Sequence, residues 1–292
     1  MSRTAEEIAS QPAMWAQALG RAPSLSGLLP RPGESLAAVG CGTSLFVAAA
    51  YARAREDRGG GFTVAEAASE FAVRRPYDRV LAISRSGTTT EVVRLLEGLP
   101  ADLPSVAISA VGDSPIARAA SEAIVLDFAD EESVVQTRFA TSALLLLRAS
   151  LGEDLARAIE DARDAVDRSL PADPGEFDQF VFLGTGWTVG VADEAALKMR
   201  EVALAWSESY PAMEYRHGPI SIAGPRTLVW HMGGLDPELD GDIRATGATL
   251  RVGTLDPLAE LILVQRTALE LARARGLDPD HPRHLSRSVV LS

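Results

Sequence analysis

The chain has 292 residues, 47% hydrophobic and 23% charged, which is typical of a globular protein with an ample core. Its formal net charge of −12 argues against a surface for nucleic acids or acidic membranes, since both need clustered Lys and Arg. The single cysteine, Cys41, excludes an intramolecular disulfide and a CxxC metal site. Because we also find no apolar signal core or membrane-spanning run, we expect a cytoplasmic protein without a membrane or nucleic-acid partner and without a bound metal.

Short apolar runs alternate with helical patterns, which predicts a parallel sheet with helices on both faces. The predicted strands of the first half are 36–39, 62–65, 80–84, 106–109 and 123–126. The predicted helices between them are 44–55, 89–96 and 115–119. A longer helical stretch over 137–169, broken near Gly152, precedes a Pro- and Gly-rich breaker at 171–175 and a new strand over 180–183. We therefore expect a first domain at 1–170, which includes an N-terminal helix, and a second at 171–292.

Two segments of the chain resemble each other. Residues 36–44 and 180–188 each read as a strand, a G-x-G turn and a hydroxyl residue that opens a helix. They lie about one domain length apart, so duplication of an α/β unit is the economical interpretation, although two G-x-G turns also arise by chance.

The first of these turns is Gly40-Cys41-Gly42-Thr43-Ser44. It lacks the third glycine of a dinucleotide fingerprint, and no acidic residue ends a second strand at the required spacing, so a nicotinamide site is disfavoured. We expect Gly42 to let the backbone approach a ligand, and Thr43 and Ser44 either to cap the helix or to donate to a sugar hydroxyl. Cys41 fits a turn filler better than a nucleophile, because no His or Asp pattern points to it.

The segment after the third predicted strand is dense in hydrogen-bond donors. It reads Ser84-Arg85-Ser86-Gly87-Thr88-Thr89-Thr90 and leads into an amphipathic helix. Free N–H groups, hydroxyls and the positive end of a helix dipole are what a phosphate monoester needs. The segment is not a Walker loop, because it has no G-K-[ST], and a plain Ser/Thr-rich helix cap is the alternative.

Two acidic residues and a histidine stand out in the second half. Glu194 and Glu201 lie two helical turns apart and project from one helix face. A carboxylate held near C1 and C2 of a sugar moves a proton between them, whereas a solvated or ion-paired surface charge is the alternative. His217 precedes a Gly-Pro turn that would present its imidazole to a cleft, and a structural histidine is the alternative.

Taken together, these segments resemble the sugar isomerase (SIS) domain family. The resemblance is carried by the G-C-G-T-S turn, the I-S-x-S-G-x-T loop, the A-L-K-M-R-E helix and the R-H-G-P turn. From about Gly40 to Arg287 the order of these motifs is that of the isomerase half of glucosamine-6-phosphate synthases. The resemblance implies two tandem flavodoxin-like SIS domains, each a parallel sheet flanked by helices, and a homodimer with an active site shared between subunits. We find no segment that resembles the glutamine-hydrolysing domain of those synthases, so we expect no ammonia from glutamine by that route.

The resemblance also implies roles for single residues. Glu201 corresponds to the base that moves a proton between C1 and C2, and Glu194 to a supporting carboxylate. His217 corresponds to the residue that opens the sugar ring and comes from the neighbouring subunit. The family's phosphate and sugar contacts correspond to Thr43, Ser84, Ser86, Thr89, Val134 and Gln136.

Three positions depart from the family pattern. Gln136 stands where Ser is common, and Arg85 stands where Gln is common and would add a cation beside the phosphate. Arg287 replaces the catalytic lysine of the C-terminal tail at 282–289. Because an arginine stays protonated, Arg287 cannot form a Schiff base with an open-chain ketose, although it can bind a hydroxyl or a carboxylate.

The sequence therefore predicts a cofactor-independent enzyme for an amino-hexose or hexose 6-phosphate, which abstracts a proton at C1 or C2 as an isomerase or deaminase. A lyase that dehydrates an N-acetylamino sugar 6-phosphate is one alternative. A non-catalytic phosphosugar sensor is another, and it is disfavoured because we find no basic helix-turn-helix. A nicotinamide-dependent enzyme is a distant third.

Overall fold

In a computed structural model that describes residues 2–234 and 236–291, the chain divides into two compact units. The N-terminal unit comprises Ala13–Leu155 and the tail from Ser286 onward. The C-terminal unit comprises Ala156–Leu285 and the described residues up to Pro12. Within the described part of the chain, no helix is both long and apolar enough to cross a bilayer.

Both units are built from parallel strands and helices in alternation. The strands are β1 (Leu36–Gly40), β2 (Thr63–Ala67), β3 (Arg79–Ile83), β4 (Ser105–Ser109), β5 (Glu122–Val125), β6 (Gln179–Gly184), β7 (Trp206–Pro211), β8 (Thr227–His231) and β9 (Thr249–Val252). The helices are α1 (Arg3–Ala9), α2 (Gln11–Leu25), α3 (Thr43–Asp57), α4 (Thr90–Glu97), α5 (Pro115–Ala119), α6 (Arg138–Ser150), α7 (Ala156–Asp167), α8 (Thr188–Ala203), α9 (Pro237–Ala245) and α10 (Pro257–Ala274).

The sheet of the N-terminal unit has the order β2-β1-β3-β4-β5, with every neighbouring pair parallel. This is the strand order of flavodoxin-like doubly wound folds. Every residue of β1, β3 and β4 is buried, as expected for strands covered by helices on both faces. Because the strands are parallel, their carboxyl ends lie at one edge, and the turn after β1 and the loop after β3 both start there. The fold thus brings the two segments singled out in the sequence to the same edge of the sheet.

The sheet of the C-terminal unit repeats this order as β7-β6-β8-β9, also parallel throughout, with no counterpart of β5 among the described residues. The two G-x-G turns share their backbone constraints. A Cβ on Gly40 would lie 2.7 Å from the backbone of Ser44, and one on Gly184 would lie 2.4 Å from that of Thr188. The second glycine of each turn has a positive φ, +54° at Gly42 and +59° at Gly186. The predicted likeness of the two segments is therefore present in their backbones.

The two units divide the chain before α7, whereas the predicted domain boundary follows residue 170. The reason is that α7 is bonded to the C-terminal unit. Arg266 Nη1 donates to the carbonyls of Ala165 and Arg168 at 2.7 and 2.6 Å, and Asp256 N donates to Asp161 Oδ2 at 2.8 Å. The Pro- and Gly-rich breaker at 171–175 consequently lies inside a unit and does not separate two.

Candidate functional site

The turn after β1 leads directly into α3. Gly42 occupies the N-cap position of this helix, so Thr43 and Ser44 are its first two residues and neither acts as the N-cap. Both side chains are buried, at 4% and 3% exposure. The predicted capping role of Thr43 and Ser44 is therefore wrong, because Gly42 is the N-cap residue. Their predicted contact with a sugar hydroxyl stays a prediction.

The loop after β3 folds its hydroxyl groups toward the start of α4. Ser84 Oγ and Thr89 Oγ1 lie 3.4 Å apart, and Thr89 is the N-cap residue of α4 without capping it through its side chain. Gly87 has a φ of +66°, and a Cβ there would lie 2.3 Å from Ser114 Oγ, so only glycine fits the bend. The hydroxyls, the N–H groups of the first helical turn and the helix dipole thus converge on one place, which suits an anion.

The C-terminal tail lies against this same loop. Thr90 N donates to the carbonyl of Val289 at 3.1 Å, and Leu291 N donates to Thr90 Oγ1 at 2.9 Å. Thr88 Oγ1 lies 2.8 Å from Ser288 Oγ. The tail therefore engages Thr88 and Thr90. The hydroxyls of Ser84, Ser86 and Thr89 are left for a ligand.

Three hydroxyl residues of the loop, Ser84, Ser86 and Thr89, make no contact with the tail among the hydrogen bonds described above. Ser86 Oγ accepts from Thr88 N at 3.2 Å, so its own proton is left for another acceptor. All three residues lie within the loop, with Ser84 at 4% and Ser86 at 6% exposure. These partly desolvated hydroxyls are suited to hold a charged oxygen, because hydrogen bonds gain strength away from water.

The position of Arg85 corrects the expectation that it adds a cation beside a phosphate. Its side chain is 1% exposed, and its guanidinium donates to the carbonyls of Ser133, Val134 and Arg287 at 2.9–3.0 Å. Its charge is thus directed at backbone groups and at Glu131, whose carboxylate lies 3.6 Å away. Arg85 is a structural part of the loop.

The predicted sugar-lining residues Val134 and Gln136 follow that bonded segment. Val134 is held through its carbonyl by Arg85. Gln136 is half-buried, and its Oε1 is buried without accepting a hydrogen bond from the described residues. A buried acceptor of this kind is satisfied when a donor such as a sugar hydroxyl binds to it.

Arg287, which takes the place of the family's catalytic lysine, is also engaged. Its guanidinium pairs with the carboxylate of Asp130 and donates to the carbonyl of Glu131. In this structure the residue therefore anchors the tail to the N-terminal unit.

In the C-terminal unit, α8 carries a charged triad that the sequence reasoning only partly identified. Lys198 Nζ lies 3.2 Å from Glu194 Oε1 and 2.5 Å from Glu201 Oε2. The helical spacing puts Lys198 between the two carboxylates, one turn from each. Burial lowers the pKa of Lys198, but the charges of Glu194 and Glu201 outweigh it, so the pKa of Lys198 is raised overall. Lys198 is thus a buried ammonium held between two carboxylates.

The two carboxylates of the triad differ in exposure. The side chain of Glu194 is 4% exposed, whereas that of Glu201 is 18% exposed. Glu201 also lines a cavity of about 30 Å³ with Leu277, His281 and Arg283. Glu201 is therefore the more accessible carboxylate of the two, and Glu194 is the one enclosed beside Lys198.

The lysine was missed although the sequence signals it. Lys198 is the only lysine of the chain, in which arginine supplies every other Lys/Arg position. A lysine ammonium is a compact charge with three rotatable donors, which fits between two carboxylates on one helix face, whereas a guanidinium is larger and planar. A single lysine placed between two glutamates, one helical turn from each, is the pattern that would have identified Lys198.

His217 lies beyond the carboxyl end of β7. It is exposed, it follows a 3₁₀ turn over Ala212–Arg216, and its N–H donates to the carbonyl of Glu214 at 3.0 Å. Gly218, with a φ of +128°, turns the chain immediately after it. The neighbouring Tyr215 is fully buried, and burial raises the pKa of Tyr215 to about 12. The buried tyrosine fixes the turn, and the turn exposes the imidazole.

The C-terminal unit has no donor-rich loop at the position equivalent to residues 84–90. After β8 the chain passes through Met232-Gly233-Gly234, and the carboxylate of Asp236 caps α9 by accepting from Glu238 N at 2.8 Å. A carboxylate at a helix start repels a phosphate. The two equivalent helix starts differ in that the N-cap of α9 is occupied by a carboxylate, whereas α4 has Thr89 at its N-cap and one carboxylate, Glu91, in its first turn.

Several known proteins are similar to this chain in sequence. Residues 32–151 match the family model described as the SIS domain. The isomerizing glutamine–fructose-6-phosphate aminotransferases of Aeropyrum pernix and Bacteroides thetaiotaomicron are 30% and 27% identical to this chain. These alignments cover 73% and 77% of this chain but 43% and 46% of the relatives. The chain thus spans less than half the length of these two curated relatives.

Solved structures extend the likeness to the whole fold. A glucosamine-6-phosphate deaminase from Thermotoga maritima is similar with a TM-score of 0.87 and 27% identity, over 99% of this chain and 100% of that chain. A tagatose-6-phosphate ketose/aldose isomerase from Escherichia coli, at 20% identity and a TM-score of 0.79 over 100% and 96% of the two chains, shares the fold. This α/β fold, with parallel sheets flanked by helices, is one found in phosphosugar isomerases and deaminases. Residues 32–151 are therefore a SIS domain, as the G-C-G-T-S turn and the I-S-x-S-G-x-T loop within them indicated.

Proposed function

We propose that this chain is a phosphosugar isomerase or deaminase that acts on an amino-hexose or hexose 6-phosphate by proton transfer at C1 and C2. The observation that carries the proposal is the buried triad of Glu194, Lys198 and Glu201, in which one carboxylate is partly exposed beside a fixed ammonium. The similarity to a glucosamine-6-phosphate deaminase over the whole chain supports it. We also propose that the C-terminal unit is a second SIS domain, because its strand order and its G-x-G turn repeat those of the first.

The proposed reaction starts with phosphate binding at the loop 84–90. The hydroxyls of Ser84, Ser86 and Thr89 donate to the phosphate oxygens, together with the N–H groups of the first turn of α4 other than that of Thr90, which the tail engages. His217 assists opening of the sugar ring by moving a proton between the ring oxygen and the C1 hydroxyl. The open-chain aldehyde that results has an acidic C2 proton.

Glu201 then removes the C2 proton and becomes the carboxylic acid. The electron pair of the broken C–H bond forms the C1=C2 double bond, and the carbonyl electron pair moves to the C1 oxygen. That oxygen takes up a proton from solvent, which gives an enediol, or an enaminol if C2 carries an amino group. The C2 hydroxyl or amine releases a proton to solvent when C1 is protonated in the next step. Return of the proton to C1 gives a ketose, or the corresponding C2 imine. Water adds to that imine and expels ammonia, which leaves the ketose 6-phosphate. Lys198, whose Nζ lies 2.5 Å from Glu201 Oε2, holds Glu201 in place throughout.

The hydroxyls of the loop provide a first expected result. The Ser86→Ala/Thr89→Ala double variant should bind glucosamine 6-phosphate more weakly by a few kcal/mol, since hydrogen bonds to a charged acceptor contribute roughly 1.5–3 kcal/mol each. Isothermal titration calorimetry with glucosamine 6-phosphate and with glucosamine measures the effect. Ser24→Ala/Ser26→Ala, which removes two exposed hydroxyls from the same unit, is the matched control. Equal affinities of the unmodified protein for the two sugars would exclude the loop as a phosphate site.

The reaction itself is tested with a panel of hexose and amino-hexose 6-phosphates in deuterated water. Unchanged mass apart from solvent deuterium at C1 or C2 indicates isomerisation, and replacement of an amino group by oxygen indicates deamination. Loss of one water from an N-acetylated substrate would indicate a lyase instead. Tight binding without turnover or deuterium uptake across the panel would contradict the proposal and leave a binding protein.

We further propose a homodimer in which His217 serves the active site of the neighbouring subunit. Its exposed position on a short turn supports this assignment. Mixing an inactive Glu201→Gln chain with an inactive His217→Asn chain should restore part of the activity, because a hybrid dimer contains one intact site. Rates measured after verified subunit exchange give the result. Absence of any rescue would place His217 in its own subunit or outside the reaction.

A further inference from the structure

The residues that hold the C-terminal tail form a closed ring within the N-terminal unit. Arg85 Nη2 donates to the carbonyl of Arg287 at 2.9 Å. Arg287 Nε in turn donates to the carbonyl of Glu131 at 3.0 Å. The carboxylate of Glu131 faces Arg85 Nη1 at 3.6 Å and closes the ring. Each of the three residues thus contacts both of the others.

We propose that this ring of Arg85, Glu131 and Arg287 fixes the tail on the phosphate loop and thereby orders the loop for phosphosugar binding. Arg85 and Arg287 are then positioning residues, which act through the loop and do not touch the sugar. The role in phosphosugar binding rests on the proposed function. The role in holding the tail rests only on the contacts of the three residues.

The ring is anchored on its buried side. The side chains of Arg85 and Glu131 are 1% and 0% exposed. The other oxygen of Glu131 accepts from Thr137 N and Arg138 N at the start of α6, at 2.5 and 2.8 Å. Glu131 is therefore fixed to a helix, and a charge fixed in this way orients its partner guanidinium. The ring thus connects the tail to the start of α6.

On the tail side, the same ring reaches the surface. Arg287 Nη2 pairs with Asp130 Oδ1 at 2.5 Å, and these two side chains are 38% and 39% exposed. Because the guanidinium of Arg287 binds Asp130 and Glu131, we expect it to hold the tail in position. This gives the Lys-to-Arg departure of the tail a physical role, since a planar guanidinium donates to two acceptors in a fixed geometry and an ammonium does not.

The ring and the loop are joined through Arg85. Its carbonyl accepts from Ala110 N at 3.0 Å and from Ser109 Oγ at 3.1 Å, so its backbone is part of the loop while its side chain holds the tail. The tail then completes the loop through its contacts to Thr88 and Thr90. A loop ordered before the ligand arrives binds more tightly, because less conformational entropy is lost on binding. Release of the tail should therefore weaken binding while leaving the proton-transfer step intact.

Two variants test the ring from opposite sides. Arg85→Gln removes the buried guanidinium, and Arg287→Ala removes the half-exposed one, so the second remains informative if the first does not fold. Arg118→Gln, which breaks an exposed ion pair with Asp113 in the same unit, is the matched control. Amide hydrogen exchange of Thr90 and Leu291 reports the tail contacts, and calorimetry with glucosamine 6-phosphate reports the affinity.

We expect both ring variants to speed exchange at Thr90 and Leu291 by about tenfold or more, and the control to leave it unchanged. The ring variants should also raise the Kd and the KM by about tenfold with kcat nearly unchanged, which is the pattern of lost binding and not of lost chemistry. Arg85→Gln/Arg287→Ala should show less than the product of the single effects, because both residues act in one unit.

Unchanged exchange in folded Arg287→Ala would overturn the ring. Faster exchange with unchanged affinity and KM would overturn the positioning role and leave the ring as a purely structural feature. If the unmodified protein binds no phosphosugar, the proposed function fails, while faster exchange in the variants would still support the ring.

Discussion

Replacing Glu201 by Gln is expected to lower turnover by roughly 10²–10⁴-fold, because the amide keeps the shape of the side chain but cannot accept the substrate proton. Phosphosugar binding should persist, since the residues proposed to bind the phosphate lie in the loop after β3. The effect is measured as solvent deuterium incorporation at C1 or C2 of glucosamine 6-phosphate under single-turnover conditions. This readout follows proton abstraction directly and is independent of the fate of the intermediate.

Glu238→Gln is the control for this substitution, because Glu238 lies in the same unit with an 82% exposed side chain. It should leave exchange and turnover unchanged. Undiminished deuterium exchange in Glu201→Gln would show that another residue is the base. In that case the triad would be a structural ion pair.

Replacing Lys198 by Met is expected to destabilise the protein by about 3–5 kcal/mol, because the buried carboxylate of Glu194 loses its counterion. Methionine has a similar length and no charge, so the loss of charge is separated from a loss of volume. Urea unfolding followed by the fluorescence of the buried Trp230, which lies in the same unit, measures the change. Turnover should fall as well, since Glu201 loses the ammonium that fixes it.

The Glu194→Gln/Lys198→Met double variant tests the cause of that destabilisation. It removes the buried charge together with its partner, so it should recover part of the lost stability. If the double variant is as unstable as the sum of the two single variants, the ion pair is not the source. The size of the recovered part gives the coupling between the two residues.

Most of the first sheet could be predicted because its strands are continuous apolar runs, and the residues of β1, β3 and β4 are all buried. The edge strand β2 was offset. Phe62, the apolar residue expected to start it, is 45% exposed and stacks under the guanidinium of Arg75, whose Cζ lies 5.2 Å from the ring. The edge strand β7 was not recognised, because its sequence Trp206-Ser207-Glu208-Ser209-Tyr210-Pro211 is mostly polar. Strands β8 and β9 were not predicted either, although every residue of β8 is buried, whereas the edge strand β5 was predicted to within one residue.

Parts of the candidate site could be predicted where the relevant residue types lie close together in one segment of the sequence. The donor-rich loop and the two glutamates of α8 belong to this class. The roles of Arg85 and Arg287 were not predictable in the same way, because their partners are backbone carbonyls far away in the sequence. A carbonyl acceptor exists at every residue, so no pattern of side chains marks which one an arginine will find.

The burial of the only lysine has a practical consequence. With Lys198 fully buried between two carboxylates, the folded chain presents no side-chain amine to solvent. N-hydroxysuccinimide esters should therefore acylate the amine of Lys198 only when the C-terminal unit opens, because an ion-paired ammonium in a buried site is not a nucleophile. The acylated fraction of the peptide that contains Lys198, measured by mass spectrometry after brief labelling, would then report the fraction of molecules that opened. Lys198 therefore serves as an intrinsic chemical probe for opening of the C-terminal unit.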